Sequence, residues 1–223
     1  EKLYSFKDTD IDIVITEIGG TVGDIESQPY IETLRQIQYE LGRENTFFVH
    51  CTLIPLLFGS DELKTKPTQN SVRDLRNMGI TPDALVCRVP YPTEDKLKNK
   101  LSLFCSVPKE NIIDSVDVGN IYDIPINYYN QHIDEIILKQ FGLPVRKADL
   151  AYWRDLINTV DNLKDEVKIA LVGKYVELHD AYLSVHEALV HAGYVYNKKV
   201  IVDWVDSETL EKDIDLKERF KDL

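Results

Sequence analysis

Three stretches of the 223-residue chain carry side chains whose types and spacing could do chemistry. The first is Glu17, a carboxylate that follows the β-branched run Ile11-Asp12-Ile13-Val14-Ile15-Thr16 and precedes the glycine-rich segment Gly19-Gly20-Thr21-Val22-Gly23. Open α/β sheets bind ligands beyond the carboxyl ends of their strands. A carboxylate there suits Mg2+, which takes one or two carboxylates and completes its shell with phosphate oxygens; capping a neighbouring helix is the competing use. The second stretch, Asp24-Ile25-Glu26, sets two carboxylates around an apolar residue. These can accept hydrogen bonds from sugar hydroxyls or a base edge, or form the acidic first turn of a helix. The third and sharpest is Lys64-Thr65-Lys66-Pro67-Thr68-Gln69. Lysines supply point charges, threonines and free N–H groups supply donors, and a helix start adds positive dipole, which together suit a triphosphate. A solvated basic loop is the alternative, and the segment is not a Walker A loop, which requires G-x-x-x-x-G-K-[ST].

Other polar residues offer less. Lys96, Lys98 and Lys100 alternate ahead of an apolar patch, and only one of them is expected to reach a ligand. The histidines His50, His132, His179, His186 and His191 form no H-x-H or H-E-x-x-H pair, so no histidine metal site is expected. No nucleophile elbow of the G-x-S-x-G or G-x-C-x-G type occurs. Cys51, Cys87 and Cys105 sit in apolar stretches without C-x-x-C spacing and read as buried free thiols of a reducing compartment.

The elements that must position these residues follow from composition and pattern. The chain is 43% hydrophobic and 29% charged, an ordinary globular balance that excludes wholesale disorder. Its net charge of −12 argues against a nucleic-acid partner, and any anionic ligand must be held by a local basic patch. The apolar runs at 47–49 and 53–58 fall far short of the ~20 residues of a membrane span, and Glu1-Lys2-Leu3-Tyr4 does not open a signal peptide. Residues 11–16 predict a strand buried on both faces. A helix then enters through Pro29, with Ser27 or Asp24 as its cap. A strand over 46–57 is ended, or moved to an edge, by its proline. After a polar segment at 59–70 come a helix over 71–78 stopped by Gly79, a buried strand over 83–88, a helix over 97–105, a strand over 111–118 and a helix over 133–141. This order predicts an α/β fold with a doubly wound, mainly parallel sheet. The pattern weakens after Pro144, where a linker holding one helix at 153–160 is expected. A new α/β unit starts at Val167, with strand 167–173, a helix carrying Ala181, Leu183, Val185, Ala188, Leu189 and Val190 and ended by Gly193, and strand 200–205. Two strands cannot bury their own faces, so the expected division is 1–144, linker 145–166, and an incomplete second domain at 167–223.

Three motifs together, Glu17-Ile18-Gly19-Gly20-Thr21-Val22-Gly23-Asp24-Ile25-Glu26-Ser27, Lys64-Thr65-Lys66-Pro67-Thr68-Gln69-Asn70-Ser71-Val72 and Ile169-Ala170-Leu171-Val172-Gly173-Lys174-Tyr175, resemble the CTP synthase family in order and spacing. The resemblance covers essentially the whole chain. It implies the later part of a P-loop amidoligase-like, Rossmann-like synthetase domain, then a linker, then the start of a class I glutamine amidotransferase (glutaminase) domain. The implied activity is that of an ATP-dependent ligase of pyrimidine biosynthesis: ATP phosphorylates O4 of UTP, and ammonia from glutamine displaces the phosphate to give CTP. By the same resemblance Glu17 ligates Mg2+ at the ATP phosphates, and Asp24, Ile25 and Glu26 contact the pyrimidine nucleotide, Glu26 near its ribose. Lys64, Thr65, Lys66, Pro67, Thr68 and Gln69 form the triphosphate loop for UTP or CTP, reached across a subunit interface. Lys100 is a further triphosphate lysine and Phe104 a wall of the cytosine pocket. Val116, Asp117 and Val118 meet the adenine of ATP, Val116 standing where many members carry a basic residue or histidine. Glu32 falls in a region that influences feedback inhibition by CTP. GTP as an allosteric activator, a homotetramer that can extend into filaments, and a cytoplasmic location are implied as well. The family's P-loop and its glutaminase Cys, His and Glu do not occur here, so no catalytic residue is expected within the chain. Phosphoryl transfer relies on cations and Mg2+ rather than a protein nucleophile, so no Ser/His or Cys/His pair is needed in this part. Two alternatives stand beside this reading: a catalytically incomplete nucleotide-binding or assembly module of the same fold, and another P-loop amidoligase of the dethiobiotin or cobyrinate type, which is not expected to carry the Lys64–Gln69 motif.

Overall fold

The computed structural model describes the chain apart from residues 1, 58, 60, 61, 212–214 and 222. It divides into two compact units, one formed by Glu1–Gly119 with Ile124–Ala148 and the other by Asn120–Asp123 with Asp149–Leu223. Both hold parallel strands joined through helices, so the fold is mixed α/β.

In the first unit the strands are β1 (Val49–Leu53), β2 (Leu56–Leu57), β3 (Glu62–Leu63), β4 (Ala84–Val89) and β5 (Ile112–Val116). The helices are α1 (Gln28–Leu41), α2 (Lys66–Asn77), α3 (Asp95–Cys105), α4 (Ile124–Asn130) and α5 (Ile133–Gln140). β1, β4 and β5 form a parallel sheet in that order, in the register His50↔Leu85 and Leu85↔Ile112. The central strand β4 is buried on both faces except at Arg88, as its continuous apolar run demands. Paired residues of a parallel ladder share a face, so Leu85, Cys87, Val89 and Ile112 point together. They pack with Val72 of α2 and Leu101 and Cys105 of α3 into one core cluster. A second cluster joins Ile31 of α1 to Leu75 and Ile80, with Val22, Leu34, Phe48 and Met78 against it.

The strand expected over 11–16 does not form: these residues run without regular secondary structure, and Ile15 is 91% exposed. Strand formation needs a ladder as well as β-branched residues, and among the described residues nothing pairs with this run. The strand expected over 46–57 is confined to β1. Pro55 interrupts it, and Leu56–Leu57 instead pairs antiparallel with Glu62–Leu63. α2 begins five residues earlier than its apolar pattern suggests, because Pro67 occupies its first turn, where a missing N–H is harmless. Gly79, at φ +88°, closes it as expected. The helix expected over 97–105 begins at Asp95. α4 had no apolar signal. Cys87 and Cys105 are buried, but Cys51 is exposed, because the face of β1 that carries it is uncovered.

The second unit holds α6 (Ala151–Asp161), β6 (Asp165–Gly173), α7 (Leu183–Val195), β7 (Lys198–Asp206) and α8 (Leu216–Arg219). β6 and β7 pair in parallel from Asp165↔Lys198 to Gly173↔Asp206, with α7 as the crossover. Gly193 does not end α7, which continues to Val195. A Cβ there would lie 2.6 Å from both the Lys198 carbonyl and Val200 Cγ2, so the glycine serves close helix-on-strand packing. No helix among the described residues is long and apolar enough to cross a membrane.

Candidate functional site

The lysine-rich segment forms the corner where β3 turns into α2, at the carboxyl end of β1. Half of it builds the corner. Thr68 is buried, its Oγ1 3.0 Å from Thr52 Oγ1 and 3.3 Å from the Leu53 carbonyl, which ties α2 to the end of β1. Thr65 is buried too and accepts a 3.0 Å hydrogen bond from Gln69 Nε2. The Lys64 backbone N–H donates to the Pro55 carbonyl at 2.9 Å. The cations face outward: Lys66 is exposed, and Lys64 Nζ donates to the Glu62 carboxylate. That bond holds the Glu62 carboxyl below the usual range, and the charge of Lys100 on α3 adds to the effect, so Lys64 and Lys100 act on one spot. Phe104 follows Lys100 by one helical turn on the same face of α3 and is 56% exposed.

The glycine segment is a tight loop. Gly20 and Gly23 take φ of +89° and +105°, conformations that L side chains rarely adopt. The Asp24 carboxylate accepts from Thr21 N at 3.0 Å, and Ser27 Oγ donates to the Asp24 carbonyl at 2.8 Å. Both expected caps of α1 are therefore spent on the loop, and Ser27, the residue at the cap position, makes no side-chain bond to the helix. Ile25 is 81% exposed and Glu26 is exposed. Glu17 is exposed and, among the described residues, makes no hydrogen bond or ion pair. It lies near β1: burial, and then the Glu17 carboxylate, push the Cys51 thiol up.

The remaining expected positions fall elsewhere in the first unit. Val116 ends β5 and packs on the core. Asp117 follows at the carboxyl end of the sheet, its Oδ1 accepting from Arg88 Nε at 2.8 Å and its N–H donating to the Val89 carbonyl at 2.9 Å; Val118 is half-buried. Glu32 sits on the outer face of α1, gripped by Arg35 through two 2.8 Å bonds and by Gln36 at 2.8 Å, which lower its carboxyl to about 2. Among the described residues no hydrogen bond or ion pair joins 17–26 to 64–69, Lys100 or Phe104. No group of three or more His, Cys, Asp or Glu among them is arranged to hold a metal. Lys64 and Lys100 thus both act on the Glu62 carboxylate, and no bond ties the acidic loop to either of them among the described residues.

The family model described as "CTP synthase N-terminus" matches residues 1–143. The chain belongs to that family. Relatives named CTP synthase agree with it. The one from Desulfitobacterium hafniense (strain Y51) is 51% identical over 212 residues, covering 95% of this chain and 40% of its own. The one from Clostridium beijerinckii is 48% identical over 212 residues, with the same coverage of 95% and 40%. The one from Zymomonas mobilis is 50% identical over 212 residues, covering 94% of this chain and 39% of its own. The chain spans about two fifths of the length of these curated relatives.

One participant escaped the reading of residue types. Lys98, one of three alternating lysines, is turned into the protein, where its Nζ lies 3.3 Å from the buried carboxylate of Asp114 and donates to the Ile112 carbonyl at 3.0 Å. The signal was present in the helical period: Leu97, Leu101 and Cys105 mark the buried stripe of α3, Lys98 adjoins it and Lys100 lies across from Lys98.

Proposed function

We propose that the chain is the later part of the synthetase domain, the linker and the beginning of the glutaminase domain of a CTP synthase, an ATP-dependent ligase that aminates UTP. What supports this is the family match, together with Lys64 at the amino end of α2 and Lys100 on α3 both acting on the Glu62 carboxylate. A triphosphate placed there would meet two cations and the first-turn N–H groups of α2, while Phe104 offers an aromatic surface to the base. UTP and CTP share their triphosphate, so one cradle serves substrate and inhibitor alike. The Thr65 and Thr68 hydroxyls, already engaged, shape the cradle and leave the contacts to the lysines and backbone.

In this reading Glu17 is the Mg2+ ligand. Its carboxylate fits that use, being an exposed hard oxygen donor without a competing hydrogen bond or ion pair among the described residues. One carboxylate is enough where phosphate oxygens supply the rest. When bound, the ion neutralises charge on the phosphates of ATP. Asp117 and its neighbours Val116 and Val118, at the carboxyl ends of the parallel strands, occupy the position where such sheets bind nucleotides and would receive the adenine. Asp24, Ile25 and Glu26, which make no bond to the lysines within one chain among the described residues, would complete the pyrimidine site from a second subunit, as the proposed homotetramer allows; Glu32 would tune feedback from the following helix. Glutamine as ammonia source and GTP as activator belong to the same proposal.

The test is formation of CTP by the full-length protein from UTP, ATP and Mg2+ with glutamine or ammonia, separated by nucleotide chromatography. CTP appearing only with ATP present is expected. UTP left unchanged with ammonia as donor would refute the reading.

A further inference from the structure

Asp114 is a buried and multiply bonded carboxylate of the first unit. It sits inside β5, 5% exposed, on the sheet face covered by α2 and α3. Its Oδ2 accepts from the Thr93 backbone N–H at 2.9 Å and its Oδ1 from the Thr93 hydroxyl at 2.8 Å; Lys98 Nζ stands 3.3 Å away. Its backbone N–H and C=O, on the outer edge of the sheet, are both satisfied by the Gln131 side chain at 2.8 Å, and Gln131 is itself held by Asn127 Oδ1 at 2.8 Å. The carboxylate therefore rests on a backbone clamped from both sides.

What it grips is the amino end of α3. Glu94, at the cap position, makes no side-chain bond to the helix. The helix start is tied instead from β5, through Thr93 just ahead of it and Lys98 in its first turn. Leu101 and Cys105, both at 0% exposure, fix the other half. With the two halves anchored, α3 cannot rotate about its axis, and the side chains across from Lys98, Lys100 and Phe104, acquire a fixed direction. A buried ion pair with each partner further hydrogen-bonded is a poor source of net stability but a strong means of fixing a single arrangement.

We propose that Asp114 is a positioning residue for nucleoside triphosphate binding: through Thr93 and Lys98 it holds α3 so that Lys100 and Phe104 meet the triphosphate and the base. This rests on the assignment of Lys100 and Phe104 made above. Asp114 itself touches no ligand.

The experiment is a cycle in the full-length protein, reading the half-saturating UTP and ATP concentrations, kcat and thermal unfolding. Asp114→Asn removes the charge that holds Lys98 and should raise half-saturating UTP about tenfold, as small misplacements of a binding group do, with half-saturating ATP within about twofold. In a Lys100→Ala background the same substitution should add little, because its effect passes through Lys100. A full additional loss in that background, or UTP and ATP weakening in step, would overturn the positioning role. Lys100→Ala leaving half-saturating UTP unchanged would instead overturn the nucleotide assignment beneath it. If Asp114→Asn does not fold, Thr93→Val and Thr93→Ser decide: Val should weaken UTP and Ser, which keeps the hydroxyl, should restore it. Equal UTP affinity in the two refutes the proposal.

Discussion

Lys64→Ala is the perturbation whose size the structure constrains best. A charge-assisted hydrogen bond to a phosphate contributes ~1.5–3 kcal/mol. Two features push Lys64 toward the lower end. Its side chain is 37% exposed, so solvent screens it, and before any ligand arrives its Nζ is bonded to the Glu62 carboxylate, which must be displaced. A net loss of ~1–2 kcal/mol remains, equivalent to about 5- to 30-fold weaker UTP or CTP binding. Titration calorimetry of the nucleotide with Mg2+ reads this directly. The gap between wild type and variant should narrow as salt is raised, because exposed charges are screened. Glu62→Gln should act with the opposite sign: it frees Lys64, removes a carboxylate from the path of a polyanion, and tightens binding. Undiminished affinity in Lys64→Ala, or weaker binding in Glu62→Gln, would refute the reasoning.

Four further outcomes are expected. Cys51 should react slowly with an alkylating agent at pH 8 and faster in Glu17→Gln, because the thiolate is the nucleophile and the Glu17 carboxylate helps to hold the thiol protonated; equal rates would place Glu17 away from β1. Cys87, pushed up to about 12 chiefly by burial, should label only after unfolding. Gly193→Ala should destabilise the second unit by ~1–3 kcal/mol in urea titration, overpacking against Lys198 and Val200 outweighing the better helix propensity of alanine; a more stable variant would contradict the close packing. Glu32 should titrate at about 2, first because of its hydrogen bonds from Arg35. Its folded carboxyl is depressed, so its contribution is present above the ordinary carboxylate range and fades as pH falls toward about 2; Arg35→Met should return the NMR titration of Glu32 to that range, and a carboxyl still near 2 would assign the shift to another cause.

The parts of this fold legible in the sequence are those fixed by burial. β4 and β5 lie within a residue or two of their apolar runs, since a strand covered by neighbours or helices must be apolar nearly throughout. Residues 11–16 have the same composition and form no strand, because strand identity is completed by a partner that composition does not display. α2 hid its first turn behind Thr65, Pro67, Thr68 and Gln69, residues suited equally to a loop and to a helix start. Gly193 shows a different ambiguity: a helix stop and a close helix–strand approach both call for glycine, and only the position of Val200 separates them. At the candidate site the sequence marked the lysine-rich segment, but not which of its side chains build the corner and which face outward. That Thr68 faces the sheet and Lys64 the solvent depends on how α2 docks on Thr52 and Leu53, a long-range fact.

The lack of ion pairs between the acidic loop and the lysines, among the described residues, has an electrostatic rationale. In a chain of net charge −12, a cationic cradle survives only where carboxylates are kept off it. Glu62 shows what one neighbouring carboxylate does: it occupies Lys64 and must be displaced by any ligand. Were Glu17, Asp24 and Glu26 seated beside Lys64 and Lys100 in the same chain, the unliganded site would collapse into intramolecular ion pairs, and a triphosphate would compete with all of them. Val22 packs the loop against the cluster of Ile31, Leu75 and Ile80, while Thr68 ties the lysine corner to Leu53 at the carboxyl end of β1. In the proposed assembly a second copy of the chain would bring these opposite charges to one nucleotide, with the triphosphate and its cation between them.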